Sequence, residues 1–171
     1  MKELHILNQL RFTRSEFQKG CEGVTDDESR RRFMPINSLA WIVAHLAWHE
    51  QHYWLKRAQG IVLFPELYEI AASGKPPKDV SLREMLPLWQ AVIKAADDYL
   101  TALKPKDFLK KMVVNGKELP ANIGTMLTRV IYHYWYHTGE MQAIRQLLGH
   151  QNLPSFVGDE IETIGEFYWD E

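Results

Sequence analysis

The sequence has a single cysteine, almost no net charge and no long uninterrupted hydrophobic run. With one cysteine, Cys21, an internal disulfide is excluded, as is typical of proteins in reducing compartments. A net charge of −2 over 171 residues gives no electrostatic reason to expect binding to nucleic acid or to an anionic membrane. No apolar run approaches the length that spans a bilayer, and the first residues lack the apolar stretch of a signal peptide. We therefore expect a cytoplasmic protein without nucleic-acid or membrane partners.

Hydrophobic and aromatic residues are plentiful by contrast. They include six Trp, seven Tyr and seven Phe, and 46% of the chain is hydrophobic. A chain of this length and composition can bury one full hydrophobic core. We expect a single domain over residues 1–171, with aromatic rings lining its core or a pocket.

Apolar spacing and capping signals predict four long helices. The predicted helices cover residues 3–20, 38–59, 81–103 and 123–148, with a short helical turn at 25–32. Ser81 and Glu84 have the spacing of a capping box at the start of the third helix, and Gly149 marks the end of the fourth. Gly139 lies inside the fourth helix, where glycine costs about 1 kcal/mol relative to alanine. We expect a close backbone contact at that position.

Two connections complete the predicted fold. Residues 61–80 contain three prolines and form a connection long enough for the next helix to cross a bundle instead of turning straight back. Asn115-Gly116 favours a type I′ turn, so residues 112–119 are predicted to form a small hairpin. The predicted fold is an all-α four-helix bundle with one long crossover connection and a small β-hairpin before the last helix.

Histidines at helical spacing carry the strongest chemical signal. His133 and His137 stand four residues apart, which places both imidazoles on one face of the predicted fourth helix. The predicted second helix contributes His45, His49 and His52. Imidazoles from two core-facing helices can bind a common ion, and zinc, nickel, copper and iron all accept such ligands. From the pattern alone, any of the three histidines in the second helix can be the third ligand.

Hydrogen-bonded histidines buried in the core are the structural alternative. Neutral imidazoles buried together need polar partners, and a metal ion supplies them. Three histidine ligands would leave a coordination position open, as in catalytic zinc sites. Both interpretations stay open on the residues alone.

Further candidate residues surround the histidines. Glu140 lies one turn beyond His137 and could orient its imidazole, and Arg145, two turns beyond, could bind an anionic cofactor or substrate. Either charged side chain could instead form an ion pair with a surface residue of opposite charge. The aromatic rings that could line a pocket, or fill the core instead, are Trp41, Trp48, Tyr134 and Trp135.

Two stretches resemble the DinB/YfiT-like family of four-helix-bundle metalloproteins. Residues 38–46, SLAWIVAHL, resemble the second-helix motif, in which a histidine followed by leucine supplies one ligand. Residues 133–149 resemble the fourth-helix motif, His-x-x-x-His-x-Gly-Glu followed by arginine and glycine, whose two histidines supply the others. The resemblance implies a metal triad of His45, His133 and His137. His49 and His52 fall outside the family pattern and are candidates for an extra ligand or a neighbouring position.

The resemblance also implies a function. Members of this family commonly bind zinc or nickel and often form homodimers, and characterised relatives are metal-dependent transferases and isomerases that use a low-molecular-weight thiol. We therefore expect a divalent-metal-binding protein. Metal-activated water or thiol would attack a small electrophile, in a transferase or hydrolase reaction. The alternative is a non-catalytic metal- or ligand-binding stress-response module, or a dimeric scaffold.

Overall fold

The computed structural model describes residues 4–169, so the start of the first predicted helix, residue 3, lies outside the described residues. Its α-helices are α1 (His5–Cys21), α2 (Asp26–Arg30), α3 (Leu39–Glu50), α4 (Glu66–Ala71), α5 (Leu82–Leu100) and α6 (Ile123–Leu147). A π-helix (Gln51–Arg57) continues α3, and 3-10 helices cover Pro105–Leu109 and Asp159–Glu162. Strands β1 (Lys111–Val114) and β2 (Lys117–Asn122) form a two-stranded sheet. The predicted all-α fold with a small hairpin before the last helix is confirmed.

Side-chain caps define where the long helices begin. The Ser38 hydroxyl accepts a hydrogen bond from the Trp41 amide at 3.3 Å at the start of α3. At α5 the predicted capping box forms, since the amide and hydroxyl of Ser81 donate to Glu84 Oε2 at 2.7 and 2.8 Å. Asn122 caps α6 in the same way, accepting from an amide of the first turn at 2.8 Å. These hydrogen bonds satisfy polar groups at the helix starts, chiefly backbone amides of the first turn, which have no partner within the helix itself.

Positive φ angles mark the hairpin turn and the end of α6. Asn115 and Gly116 have φ values of 50° and 76°, as a type I′ turn requires at both central positions. Gly149 follows α6 with a φ of 87°, and the amide of His150 donates to the carbonyl of Arg145 at 3.1 Å. This left-handed residue ends the helix as the sequence predicts.

Within the described residues, one compact unit consists of residues 4–22, 103–111 and 119–169. In it, α1 packs against α6. The apolar side chains without exposed surface in this unit include Leu10, Phe17, Leu127, Tyr134, Met141 and Ile144.

The segment that follows α6 in this unit is held by contacts with α1. The carboxylate of Glu16, which has no exposed surface, accepts a hydrogen bond from the Val157 amide at 2.7 Å. Lys19 joins this carboxylate to Glu160, with nitrogen–oxygen distances of 2.6 and 2.9 Å. Contacts distant in sequence therefore order a segment that has no helical period of its own.

The other compact unit consists of Gly23–Ala102 and Met112–Glu118. Here α3 packs against both α5 and α4. Its core includes Leu39, Ile42, Leu46, Trp54, Leu67, Trp89 and Leu100. The single domain expected over the whole chain stays a prediction.

Four local features differ from the prediction. The predicted helix over 38–59 changes at Gln51 from α-helix to π-helix. Seven residues are too few for hydrophobic spacing to separate the two helix types. The long connection contains α4, which directly follows Pro65, and the third helix ends at Leu100. Within the described residues, nothing lies within 4 Å of a Cβ placed on Gly139, so the close contact expected there is absent.

Within residues 4–169, no helix combines the length and the apolar character needed to cross a bilayer.

Candidate metal centre

Helix α6 brings His133 and His137 together on one face. Their Nε2 atoms are 3.0 Å apart, and the rings meet edge to face at 63°. Two imidazole nitrogens at this distance either share a proton or bind a common cation. Because zinc–nitrogen bonds are about 2.0–2.1 Å long, two ligands of one ion can stand up to roughly 4 Å apart. The spacing of the pair is compatible with either arrangement.

Glu140 orients the imidazole of His137 through Nδ1, the ring nitrogen that does not face His133. Its Oε2 lies 2.7 Å from Nδ1 of that ring, three residues away along α6. An ionised carboxylate only accepts hydrogen bonds, so Nδ1 of His137 carries the proton. The lone pair of neutral His137 is therefore on Nε2, which faces His133. Histidines that bind metals are commonly oriented by carboxylates in this way.

A hydrogen bond and the rings of Trp41 and Trp48 contribute to holding His45. Its Nδ1 lies 2.8 Å from the carbonyl oxygen of Ala71, at the end of α4. A carbonyl only accepts, so Nδ1 carries the proton and neutral His45 has its lone pair on Nε2. The imidazole lies 4.9 Å from the Trp41 ring at an interplanar angle of 8°, and 5.6 Å from the Trp48 ring at 30°. The side chain is buried, with 6% of its surface exposed.

His49 and His52 are engaged with aromatic rings of the same helical segment. His49 meets the ring of Tyr53 edge to face at 4.6 Å, and His52 stacks on Trp48 at 5.3 Å. Burial lowers the pKa of His52 from 6.5 to about 4, with smaller contributions from the cationic Arg57 and a neighbouring lysine. His52 is therefore neutral near pH 7.

Arg145 and Tyr134 are buried in the unit that contains α6. Arg145 donates from Nη1 to the Gly20 carbonyl at 3.0 Å and from Nε to Nδ1 of His150 at 3.2 Å. The carbonyls that end α1 have no intrahelical partners, so the guanidinium satisfies one of them. Tyr134 has no exposed surface and packs edge to face on Phe17 at 5.3 Å. A ring without exposed surface fills the core, which was the alternative to lining a pocket, and a pocket role of Tyr134 stays a prediction.

A surface cleft of about 310 Å³ lies where α6 ends. Arg145, Lys19 and Glu22 line it together with residues 152–155. None of the candidate metal ligands is among these lining residues.

The donor set fits a divalent transition metal. Among the residues that the structure describes, the set of candidate ligands is His133 and His137 in the unit that contains α6, and His45 in the other unit. His49 and His52 are not in this set. Neutral imidazole nitrogen is a good ligand for zinc and nickel, and hydrogen bonds already leave Nε2 of His45 and His137 with the lone pair.

Comparison with known proteins identifies the family. A family model described as the DinB superfamily matches residues 9–141, a span that includes all three histidines of the candidate set. The chain belongs to the DinB superfamily. A crystal structure of a DinB-like protein from Bacillus subtilis, YjoA, matches this DinB-like chain with a TM-score of 0.57 and 14% sequence identity. The match covers 89% of this chain and 94% of that chain, and at this identity it shows the fold alone. A comparison with curated proteins finds no match.

Proposed function

We propose that this DinB superfamily protein binds one divalent metal ion, zinc or nickel, through His45, His133 and His137. The observation that carries the proposal is the orientation of His137, whose Nε2 faces that of His133 at 3.0 Å while Glu140 binds its Nδ1. The Ala71 carbonyl leaves Nε2 of His45 as its unprotonated nitrogen in the same way. The resemblance of residues 38–46 and 133–149 to the two family motifs gives independent support.

We further propose that the protein is a metal-dependent transferase or hydrolase acting on a small electrophile. When bound, a divalent ion supplies Lewis acidity, which makes water or a low-molecular-weight thiol nucleophilic near neutral pH. The chain itself holds the ligands in place. Glu140 orients the ring of His137 and raises the basicity of its Nε2. The ring of Trp41, stacked parallel on the imidazole of His45, limits contact of that imidazole with water.

Metal analysis of untagged protein tests the binding proposal. After incubation with zinc or nickel and removal of excess ion, we expect about one ion per chain by elemental analysis. The double variant His133→Asn/His137→Asn should lose the ion, because two of three ligands are removed. His49→Asn is the matched control and should retain it, since His49 is not in the candidate set. Metal retained by the double variant would contradict the proposal.

The burial of the histidines favours a second candidate function. His45 and His137 are each only 6% exposed, so a small ligand has little direct access to either ring. A metal site of this kind also suits a non-catalytic binding or stress-response module. Turnover of a panel of electrophiles with water and several thiols separates the two functions. Metal binding without turnover across the panel would favour the non-catalytic module.

The family resemblance also leads us to propose a cytoplasmic homodimer. Size-exclusion chromatography with light scattering should then give about twice the chain mass of 20.0 kDa at micromolar concentration. A mass equal to one chain would contradict the homodimer. It would leave the metal proposal unaffected, because the candidate ligands come from one chain.

A further inference from the structure

Two consecutive carbonyl groups at the end of α4 bind two rings of α3. The carbonyl of Ile70 accepts from Nε1 of Trp41 at 3.2 Å, and that of Ala71 accepts from Nδ1 of His45 at 2.8 Å. The two rings lie four residues apart on α3 and are parallel within 8°, with centroids 4.9 Å apart. One short helix end therefore holds both members of a stacked pair.

The structure explains why these carbonyls are available. The last carbonyls of a helix have no intrahelical donors, and buried backbone acceptors need a partner. Leu67 and Ala71 of α4 have no exposed surface, so the helix is anchored in the core. Before α4, the side chain of Gln51 accepts from the amides of Leu63 and Phe64 at 2.9 and 2.8 Å. The segment is thus fixed at its entry and at its end.

We propose that Trp41, held by the last turn of α4, positions His45 as a metal ligand. The inference rests on the proposed metal-binding function and extends it to the residues that prepare the site. The Ala71 carbonyl selects the tautomer of His45 that has its lone pair on Nε2. The indole of Trp41, fixed by the Ile70 carbonyl, restricts the plane of the imidazole stacked on it. A ligand ordered before binding loses less conformational freedom when the ion arrives.

Trp48 provides a matched control for Trp41. It also flanks His45, at 5.6 Å and on a tilted plane. Among the described residues, its indole nitrogen makes no hydrogen bond. Trp41→Phe and Trp48→Phe therefore make the same chemical change at two rings that contact His45, but only the first removes a hydrogen bond to α4.

The first measurement uses the metal-free protein, so its outcome does not depend on metal binding. Long-range ¹H–¹⁵N NMR spectra at pH 8 report which nitrogen of each histidine is protonated. We expect His45 to be protonated on Nδ1 in the wild type and in Trp48→Phe. Trp41→Phe should show a detectable fraction protonated on Nε2. Protonation of wild-type His45 on Nε2, or identical spectra for the two variants, would overturn the positioning role.

The second measurement is zinc affinity by competition with a chelator. Loss of a group that orients a ligand typically weakens metal binding about 10–100-fold, so we expect at least about a 10-fold loss for Trp41→Phe. Trp48→Phe should change the affinity by less than about 3-fold. Equal losses in both variants would overturn the positioning role while leaving metal binding intact. Absence of zinc binding in the wild type would instead refute the proposed function, and the NMR measurement would still test the geometry.

Discussion

Glu140 binds Nδ1 of His137 at 2.7 Å, and this contact leaves the other nitrogen of the ring facing His133. The carboxylate retains some contact with water, since 24% of its side-chain surface is exposed, whereas the side chain of His137 is only 7% exposed. A negative charge at Nδ1 makes Nε2 a stronger donor to a cation. A single acidic residue of α6 thus both orients the ring and increases its basicity.

Replacing this carboxylate should weaken metal binding. We expect Glu140→Gln to lower zinc affinity by about 10-fold or more, because the amide keeps the shape of the side chain but loses its charge. Chelator competition measures the change. Glu22→Gln is the control, since it removes one negative charge from an exposed position at the end of α1. Equal zinc affinity in Glu140→Gln and the wild type would show that the contact does not support a ligand.

His52 should make the stability of the metal-free protein depend on pH. Its pKa is about 4 in the folded chain and 6.5 as the ordinary value, so the unfolded state binds more protons between these limits. The free energy of unfolding must then rise as the pH increases from 4 to 6.5. On acidification through the same range, the contribution of His52 to stability is lost. The full shift corresponds to about 3 kcal/mol, which solvent screening of a half-buried ring reduces to about 1 kcal/mol.

Urea unfolding at pH 5.0 and 7.5 measures this contribution. The wild type should lose more stability on acidification than His52→Gln, because glutamine does not titrate. The difference between the two proteins isolates His52 from the other histidines. An identical loss in both proteins would mean that the folded chain tolerates protonated His52 as well as the unfolded chain does.

The positions of His133 and His137 could be predicted because their relationship is local. A spacing of four residues puts both rings on one helix face, and Glu140 follows within the same helix. The hairpin turn at Asn115-Gly116 is local in the same sense, since two residues that tolerate positive φ define it. Features of this kind are fixed by neighbours in sequence.

The support of His45 could not be predicted in this way. Its hydrogen-bond partner is the backbone carbonyl of Ala71, 26 residues away, and a backbone atom leaves no side-chain signal. Helix α4 itself could have been found, since Pro65 precedes it and prolines favour helix starts. The role of Arg145 as a donor to the end of α1 depends on packing between helices far apart in sequence. Such contacts become visible only once the chain is folded.

The capping box at the start of α5 should contribute to stability. We expect Ser81→Ala to lower the free energy of unfolding by about 0.5–2 kcal/mol, because an amide of the first turn loses its acceptor. Hydrogen bonds from the amide and hydroxyl of Ser81 also lower the pKa of Glu84, so the stabilisation by that ionised carboxylate is present above pH 4.5 and is lost as pH falls through the lowered value. Urea unfolding at pH 7 measures the change. Ser73→Ala, at an exposed turn, should have little effect, and a similar loss in both variants would argue against the cap.

Two glycines inside helices should respond oppositely to alanine. A Cβ on Gly20 in α1 would lie 2.5 Å from Sδ of Met141, a buried side chain of α6, so the contact must shift. Overpacking of this kind typically destabilises by about 1–3 kcal/mol. Gly139 has open space at the same position, and alanine should stabilise α6 there by up to about 1 kcal/mol.

Urea unfolding of Gly20→Ala and Gly139→Ala compares the two sites directly. Because both changes carry a similar gain in helix propensity, the difference between them reports the packing of α1 on α6. Combining Gly20→Ala with Met141→Ala should remove most of the penalty of the first change, since the crowded sulfur is then absent. A stabilising effect of Gly20→Ala alone would mean that α1 and α6 are less closely packed at this crossing than the structure has them.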